Sequence, residues 1–269
     1  MKAKDNNHQL SPAGKAKRRS IAVLGSGSTG PLSLIASRSS LAQTTYPSKP
    51  IRIVVGYAVG GPTDLAARLI AAKMQESMGQ TIIVENKPGA GSNIASAEVA
   101  RAAPDGYTLL LGTVANATNM TMYKNPGYDT MRDFVAISQV MSAPSILAVN
   151  PNLAVQSLKD LIALAKSKPG TLSFGSSGAG GSPHLAGELL QFRADIDLVH
   201  VPYKGAAPAM TDVIAGQIHM AFMTALSAVP QIQSGKLKAI AVASAKRVPA
   251  LPNVPTFSEA GMADFEVSS

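Results

Sequence analysis

The chain has 269 residues, with 24 basic and 16 acidic side chains, a formal net charge of +8, and neither cysteine nor tryptophan. The length suits one large or two modest domains, each able to bury a real core, and an apolar fraction of 46% is ordinary for a globular protein. Lack of cysteine excludes disulfides, thiolate nucleophiles and Cys-ligated metals, and is compatible with an oxidising compartment.

The charge is uneven. Residues 1–42 hold seven basic side chains (Lys2, Lys4, Lys15, Lys17, Arg18, Arg19 and Arg38) and one acidic one, Asp5. Residues 43–269 therefore carry 17 basic against 15 acidic groups, a net of +2. The high net charge belongs to a leader, and a nucleic-acid-binding face loses most of its support. Lys15 to Arg19, the apolar Ile21 to Leu24 and Leu32 to Ala36, and the small residues around Ser40-Leu41-Ala42 have the order of a secretory signal. Arg18-Arg19 loosely resembles a twin-arginine signal, and the alternative is a disordered basic tail. The mature chain is expected to begin near Gln43, in the periplasm. No apolar run reaches the roughly 18 residues that a membrane-spanning helix needs.

The first ordered unit is Ile51 to Arg68. Ile51, Ile53, Val54 and Val55 read as a buried strand, Gly60-Gly61-Pro62 as a tight turn, and Thr63 or Asp64 as the cap of a helix with Leu65, Leu69, Ile70 and Met74 on its apolar face. A strand at Thr81–Glu85, a turn at Asn86–Gly91 and a helix from Ser92 or Asn93 through Ile94, Ala97, Val99 and Ala100 follow. Tyr107–Leu111 is the third strand, ending in a polar loop from Gly112 to Asn116. Asp133–Met141 and Ser145–Val149 read as two more strands.

Asn150-Pro151-Asn152 marks the expected boundary, because a new strand–helix series begins there. It runs as a helix capped by Ser157, a strand at Thr171–Gly175, the Gly/Ser loop from Ser176 to Pro183, and a helix at 184–193. Then come a strand at Leu198–Val201, a turn through Tyr203-Lys204-Gly205, a helix at 207–214, a strand at Gln217–Met223, a helix at 225–233 and a strand at Lys238–Ala243. A Pro-rich segment and a short helix at 258–261 close the chain. The alternation predicts an α/β protein of two lobes, each a mostly parallel sheet flanked by helices with right-handed crossovers. Residues 43–149 with 246–269 make the first lobe, incomplete at its C-terminal end, and 150–245 make the second.

In such sheets ligands sit beyond the carboxyl ends of the strands. Two glycine loops lie there, Tyr57 to Pro62 and Ser176 to Pro183, each opening a helix whose first N–H groups favour an anion. Neither contains Lys or Arg, which suits a carboxylate that must be released. Taken singly, each is also an ordinary turn between strand and helix. Enzyme motifs are missing: there is no phosphate-loop Gly-Lys-Ser/Thr, no G-x-G-x-x-G and no G-x-S-x-G. His184, His200 and His219 show no metal spacing. His200 and His219 read as hydrogen-bonded or solvent-facing, while His184 either orders its loop or touches ligand. Tyr57 covers a ligand or packs at a strand end. Thr113, Asn116, Tyr203 and Thr224 are cleft candidates on topology, and Lys204 is a solvated turn residue.

The chain resembles the Bug family, the extracytoplasmic solute-binding receptors of tripartite tricarboxylate transporters. The resemblance lies in Gly60-Gly-Pro-Thr-Asp-Leu-Ala-Ala-Arg68, Val84-Glu-Asn-Lys-Pro-Gly-Ala-Gly91, Ala103-Pro-Asp-Gly-Tyr107, His184-Leu-Ala-Gly-Glu188, His200-Val-Pro-Tyr-Lys-Gly205 and Leu251-Pro-Asn-Val-Pro-Thr256. It implies a hinged two-lobed fold, as in type II-like periplasmic binding proteins, with ligand contacts from Tyr57, Ala58, Gly60, Gly61 and Asp64 on one side. On the other side it implies Ser176, Ser177, Gly181, Ser182 and His184, with Thr113, Tyr203 and Thr224 on the walls. Gly181 stands where the family often has Ser or Thr, and Met223 where it often has Asp. The expected protein is a monomer that captures a small carboxylate for membrane transporter subunits. It uses no cofactor or metal, does no catalysis, and does not insert into the membrane. A sensory module serving a signalling partner, or a hydrolase using a loop serine with His184, are the alternatives.

Overall fold

The computed structural model describes residues 46–269. The leader assignment, its cleavage site and the mature start at Gln43 lie outside the described residues. Strands β1 (Ile51–Val55), β2 (Ile82–Asn86) and β3 (Thr108–Leu111) form one sheet in the order β2-β1-β3, all parallel. Parallel neighbours need crossover helices, and α1 (Pro62–Met78) and α2 (Asn93–Ala100) supply them. Ile51, Ile53, Val55 and Tyr57 alternate onto one face and pack with Ala67, Ala71 and Ile82.

The expected apolar face of α1 packs only in part: Met74 meets the core, but the leucines do not. Leu65 is 39% and Leu69 65% exposed, while Ala66, Ala67 and Ala71 are buried. Methyl side chains let the helix lie close to the sheet, and leucine on that face would hold it off. In α2 the expected Ala97 is buried, but Ile94 is exposed and Ala95 and Ser96 are buried in its place. Gly112–Asn116 is not a free loop, because α3 (Val114–Met122) starts there with Thr113 at its N-cap. Asp133–Met141 does not form the expected strand. A single turn, α4 (Thr130–Asp133), leads into an extended stretch that pairs with no strand, with Val135 and Ile137 largely exposed.

The second sheet contains β4 (Ser145–Val149), β5 (Ser173–Ser176), β6 (Val199–Pro202), β7 (Met220–Thr224) and β8 (Lys238–Ala243), in the order β6-β5-β7-β4-β8. It is mixed: β5 runs parallel to β6 and β7, while β4 runs antiparallel to β7 and β8. The position of β4 moves the expected boundary after Asn150 to before Ser145, since β4 belongs to the second sheet. Residues 246–269 likewise pack there rather than on the first sheet. Phe257 and Phe265 are buried in the core with Leu147 and Phe222, and the expected short helix at 258–261 is a set of turns.

Both faces of the second sheet are covered, so its strands are apolar on both sides. Leu147 and Val149 meet α5 (Leu158–Ser167) and α6 (Ser182–Ala194). Ile146 and Ala148 meet α7 (Ala206–Ala215) and α8 (Ala225–Gln233). The rings of Phe257 and Phe265 stack 4.0 Å apart, with Phe222 5.9 Å from each. Among the described residues no helix is long and apolar enough to cross a membrane. Phe257→Ala removes a fully buried ring from this stack and is expected to lower stability by about 3–5 kcal/mol, measured by urea unfolding.

Candidate functional site

The first loop leaves β1 at Gly56 and enters α1 after Gly61, with Pro62 as the first helical residue. Proline suits that position because it lacks the N–H that would have no partner there. Asp64, 1% exposed, turns back and accepts the Gly60 N–H at 2.9 Å, and Arg68 Nε lies 3.1 Å from both its oxygens. Arg68 also reaches Asn86, whose Nδ2 donates to the Tyr57 carbonyl. Asp64 therefore shapes the loop and has no free face for an anionic ligand. Burial alone would raise its carboxyl, but Arg68, Gly60 and Asn86 outweigh burial and hold it below the usual range.

Other candidates are also committed within the protein. Tyr57 is buried and shares a hydrogen bond with Thr113 Oγ1 at 2.8 Å, and burial pushes its hydroxyl up to about 12. It packs at the strand end rather than covering the cleft. Asn116 accepts the Thr113 N–H and donates to Ser96, so it fixes the start of α3. Tyr203 donates to Asp212 on α7 at 2.6 Å, which turns its hydroxyl away from the loops; burial first, then Asp212, pushes it up to about 12. Thr224 is 3% exposed.

The second loop leaves β5 at Ser176 and enters α6 at Ser182, after the N-cap Gly181. Ser176 Oγ accepts the Gly178 N–H and lies 2.7 Å from His200 Nε2. His184 orders this loop, since its Nδ1 accepts the Gly180 N–H at 3.3 Å. Ser177 is half-buried, and Ser182 Oγ accepts a hydrogen bond from Ser269. His219 is hydrogen-bonded through Nδ1 to Ser173, as the pattern suggested. The three histidines are not all scattered, however. The His184 and His200 rings lie 4.2 Å apart, and Glu188 joins them.

Two serine–histidine pairs form among the described residues, neither with His184: Ser173–His219 at the start of β5 and, at the start of the loop, Ser176–His200. The Ser176–His200 pair is a poor nucleophile site, because Ser176 is 1% exposed and burial, with His184 beside it, pushes His200 down to about 4. A base that weak gains little from taking a hydroxyl proton near neutral pH.

The carboxyl ends of both sheets face each other, and each loop is held across the gap by something other than the opposite loop. The Ala58 N–H donates to the Lys204 carbonyl at 2.9 Å, and Gly205 lies so close that a Cβ there would come within 3.0 Å of Ala58. Lys204, expected to be only a solvated turn residue, supplies the main-chain acceptor. Thr118 Oγ1 donates to the Gly180 carbonyl at 2.6 Å. Gly180 has φ +84°, and a Cβ there would meet Asn119 Oδ1 at 2.5 Å, so only glycine fits. Thr118 and Asn119 were missed in the sequence because their helix was missed.

This architecture is that of a two-lobed α/β solute-binding protein. The sequence profile described as "Tripartite tricarboxylate transporter family receptor" matches residues 66–269. A UPF0065 protein in the TAR-I ttuE-ttuC' intergenic region of Agrobacterium vitis is 40% identical over 228 residues, covering 85% of this chain and 66% of that protein. BugT of Bordetella pertussis is 37% identical, covering 83% and 69%. Among solved structures, the periplasmic binding protein BugD is 40% identical with a TM-score of 0.80, covering 83% of this chain and 75% of that one. R. palustris Rpa4515 with adipate is 37% identical with a TM-score of 0.81 and the same coverage. MatC of Rhodopseudomonas palustris with bound malate is 32% identical with a TM-score of 0.77, covering 83% and 76%. The chain belongs to the tripartite tricarboxylate transporter receptor family, and BugT and BugD are among its relatives. It spans about two thirds of the length of the curated relatives it matches.

Two measurements probe this geometry. A depressed folded carboxyl stabilises the protein above the ordinary carboxylate range and loses that contribution as pH falls through the folded value. Asp64→Asn should therefore destabilise at pH 7, and the gap to wild type should close towards about pH 3 in urea unfolding. At Gly205 the backbone is extended, a conformation open to any residue, so Gly205→Val tests the close approach alone. It should speed hydrogen exchange of the Ala58 amide about tenfold or more relative to wild type.

Proposed function

We propose that this chain is an exported periplasmic receptor that captures a small organic carboxylate between its lobes and presents it to the membrane subunits of a tripartite transporter. One observation carries this reading. Two helix N-termini, those of α1 and α6, open from glycine loops at the carboxyl ends of β1 and β5, on the facing edges of the two sheets. Neither loop contains a cationic side chain. Backbone N–H groups and hydroxyls can then share a carboxylate without holding it by full charge.

The group assigned to the ligand on one side is the Gly61 N–H, with Ala58 and Gly60, whose N–H groups are taken by Lys204 and Asp64, as wall; on the other side they are Ser177, Gly181, Ser182 and the first turn of α6. Tyr57, Asp64, Thr113, Asn116, Ser176, His184, Tyr203 and Thr224 act behind them, holding loop and wall in shape. Solved relatives carrying adipate and malate support a carboxylate as the ligand class. The protein does no chemistry: a ligand touching both lobes favours the closed arrangement and shifts the population towards it.

A thermal-shift panel of mono- and dicarboxylates, including adipate and malate, tests the proposal. At least one member should raise the melting temperature of wild type. Gly61→Asp, which sets a negative charge at the first loop, and Ser182→Pro, which removes an N–H and a hydroxyl at the second, should each abolish that rise. Equal shifts in wild type and both variants would sink the two-loop site.

A further inference from the structure

We propose that His184, Glu188 and His200 form a binding site for a divalent transition cation of the zinc class, on the flank of the second sheet where α6 passes β6. The inference does not depend on the carboxylate reading, since none of the three side chains is assigned to the ligand.

The geometry begins with α6. His184 and Glu188 are one turn apart on the same helix face, and His184 Nε2 lies 3.5 Å from Glu188 Oε1. Tetrahedral zinc with bonds of about 2.0–2.1 Å holds neighbouring ligand atoms about 3.3–3.4 Å apart, so the helix pair already has a chelating spacing. His200 comes from β6, the edge strand, and one ligand atom from each of the three residues lies within 4.8 Å of the others. Closing a 4.8 Å separation to about 3.4 Å takes a shift of about 1.4 Å together with a rotation of the half-exposed helix pair, because the His184 ring lies 4.2 Å from His200 at only 32°. Imidazole, imidazole and carboxylate are a donor set that zinc accepts, and the half-exposed Glu188 leaves the remaining position open to solvent.

The surroundings hold the third ligand in place. The His200 ring stacks on Phe174 at 4.8 Å, and Phe174 is 1% exposed. Metal on His200 Nδ1 would leave Nε2–H to donate to Ser176 Oγ, 2.7 Å away, so that Ser176 would orient the ring as an outer partner.

Occupancy has a consequence for the second loop. His184 Nδ1 now accepts the Gly180 N–H. Metal on Nε2 places the imidazole proton on Nδ1, which then cannot accept. Binding the cation therefore competes with the loop conformation described here. The Gly180 carbonyl accepts from Thr118 on the first lobe, so the competition reaches the contact between the lobes. By reciprocity, whatever strengthens that contact weakens the metal, and the reverse.

The test uses the chain without a histidine tag, stripped with a chelator and titrated with zinc chloride by calorimetry in a non-coordinating buffer near pH 7.5. Wild type should bind one zinc per chain, and zinc should shift the imidazole resonances of His184 and His200 and not that of His219. Glu188→Gln keeps the size of an exposed side chain, and its melting temperature without metal should match wild type. Its zinc affinity should fall about tenfold or more. Absence of a zinc isotherm in wild type overturns the proposal. So does a Glu188→Gln variant that binds zinc as tightly as wild type, because the cation then sits elsewhere.

Discussion

The close main-chain contact between Ala58 and Lys204–Gly205 is the constraint on which the arrangement of the lobes depends. A backbone N–H of one lobe finds its acceptor only on the other, at 2.9 Å, and Gly205 leaves no room for a side chain between them. Such a bond fixes distance and direction together. Everything that must be aimed at the cleft is built back from it. Asp64 and Asn86 hold the first loop so that Ala58 presents its N–H. Tyr203, pinned to Asp212, holds the turn that presents the Lys204 carbonyl. The second loop has its own contact, through Thr118 and Gly180, so the two lobes are registered at two separated points.

That arrangement explains why so many residues at strand ends prove to be supports. A loop whose main chain does the binding needs side chains that point inward and lock it, not side chains that reach out. Tyr57, Asp64, Asn116 and Ser176 all bury polar atoms and satisfy them within the protein. In the proposed site the contacts left for ligand are uncharged, so selection among carboxylates would turn on length and shape.

The sequence was most legible where local pattern and tertiary demand agree. β4 and β8 are apolar runs buried on both faces, and α8 follows its strand with no loop; their boundaries can be read directly. Elsewhere tertiary context decided. Leucine marks the inward face of most helices, yet α1 packs by alanine because it lies close to the sheet. α3 is rich in Asn and Thr, poor helix formers whose side chains here bond to neighbouring loops. The stretch after Asp133 has the composition of a strand but pairs with none. At the site, topology pointed to loops at the strand ends and could not say which way a side chain points. Tyr203 and Thr113 sit where expected and face elsewhere. His184 and His200, sixteen positions apart, meet only because α6 folds back over the sheet edge.

The buried carboxylate of Asp64 bears on how strongly the first loop can hold an anion. It occupies the first turn of α1, the positive end of the helix dipole, and takes one of the donors there. An arriving carboxylate thus meets a helix end whose field is already partly compensated from behind, with Arg68 balancing that charge on the far side. A bare helix start would grip any anion, phosphate and sulfate included. Partial compensation lowers the pull on charge as such and leaves geometry to discriminate, so the electrostatic set-point of the site is built into the fold before any ligand arrives.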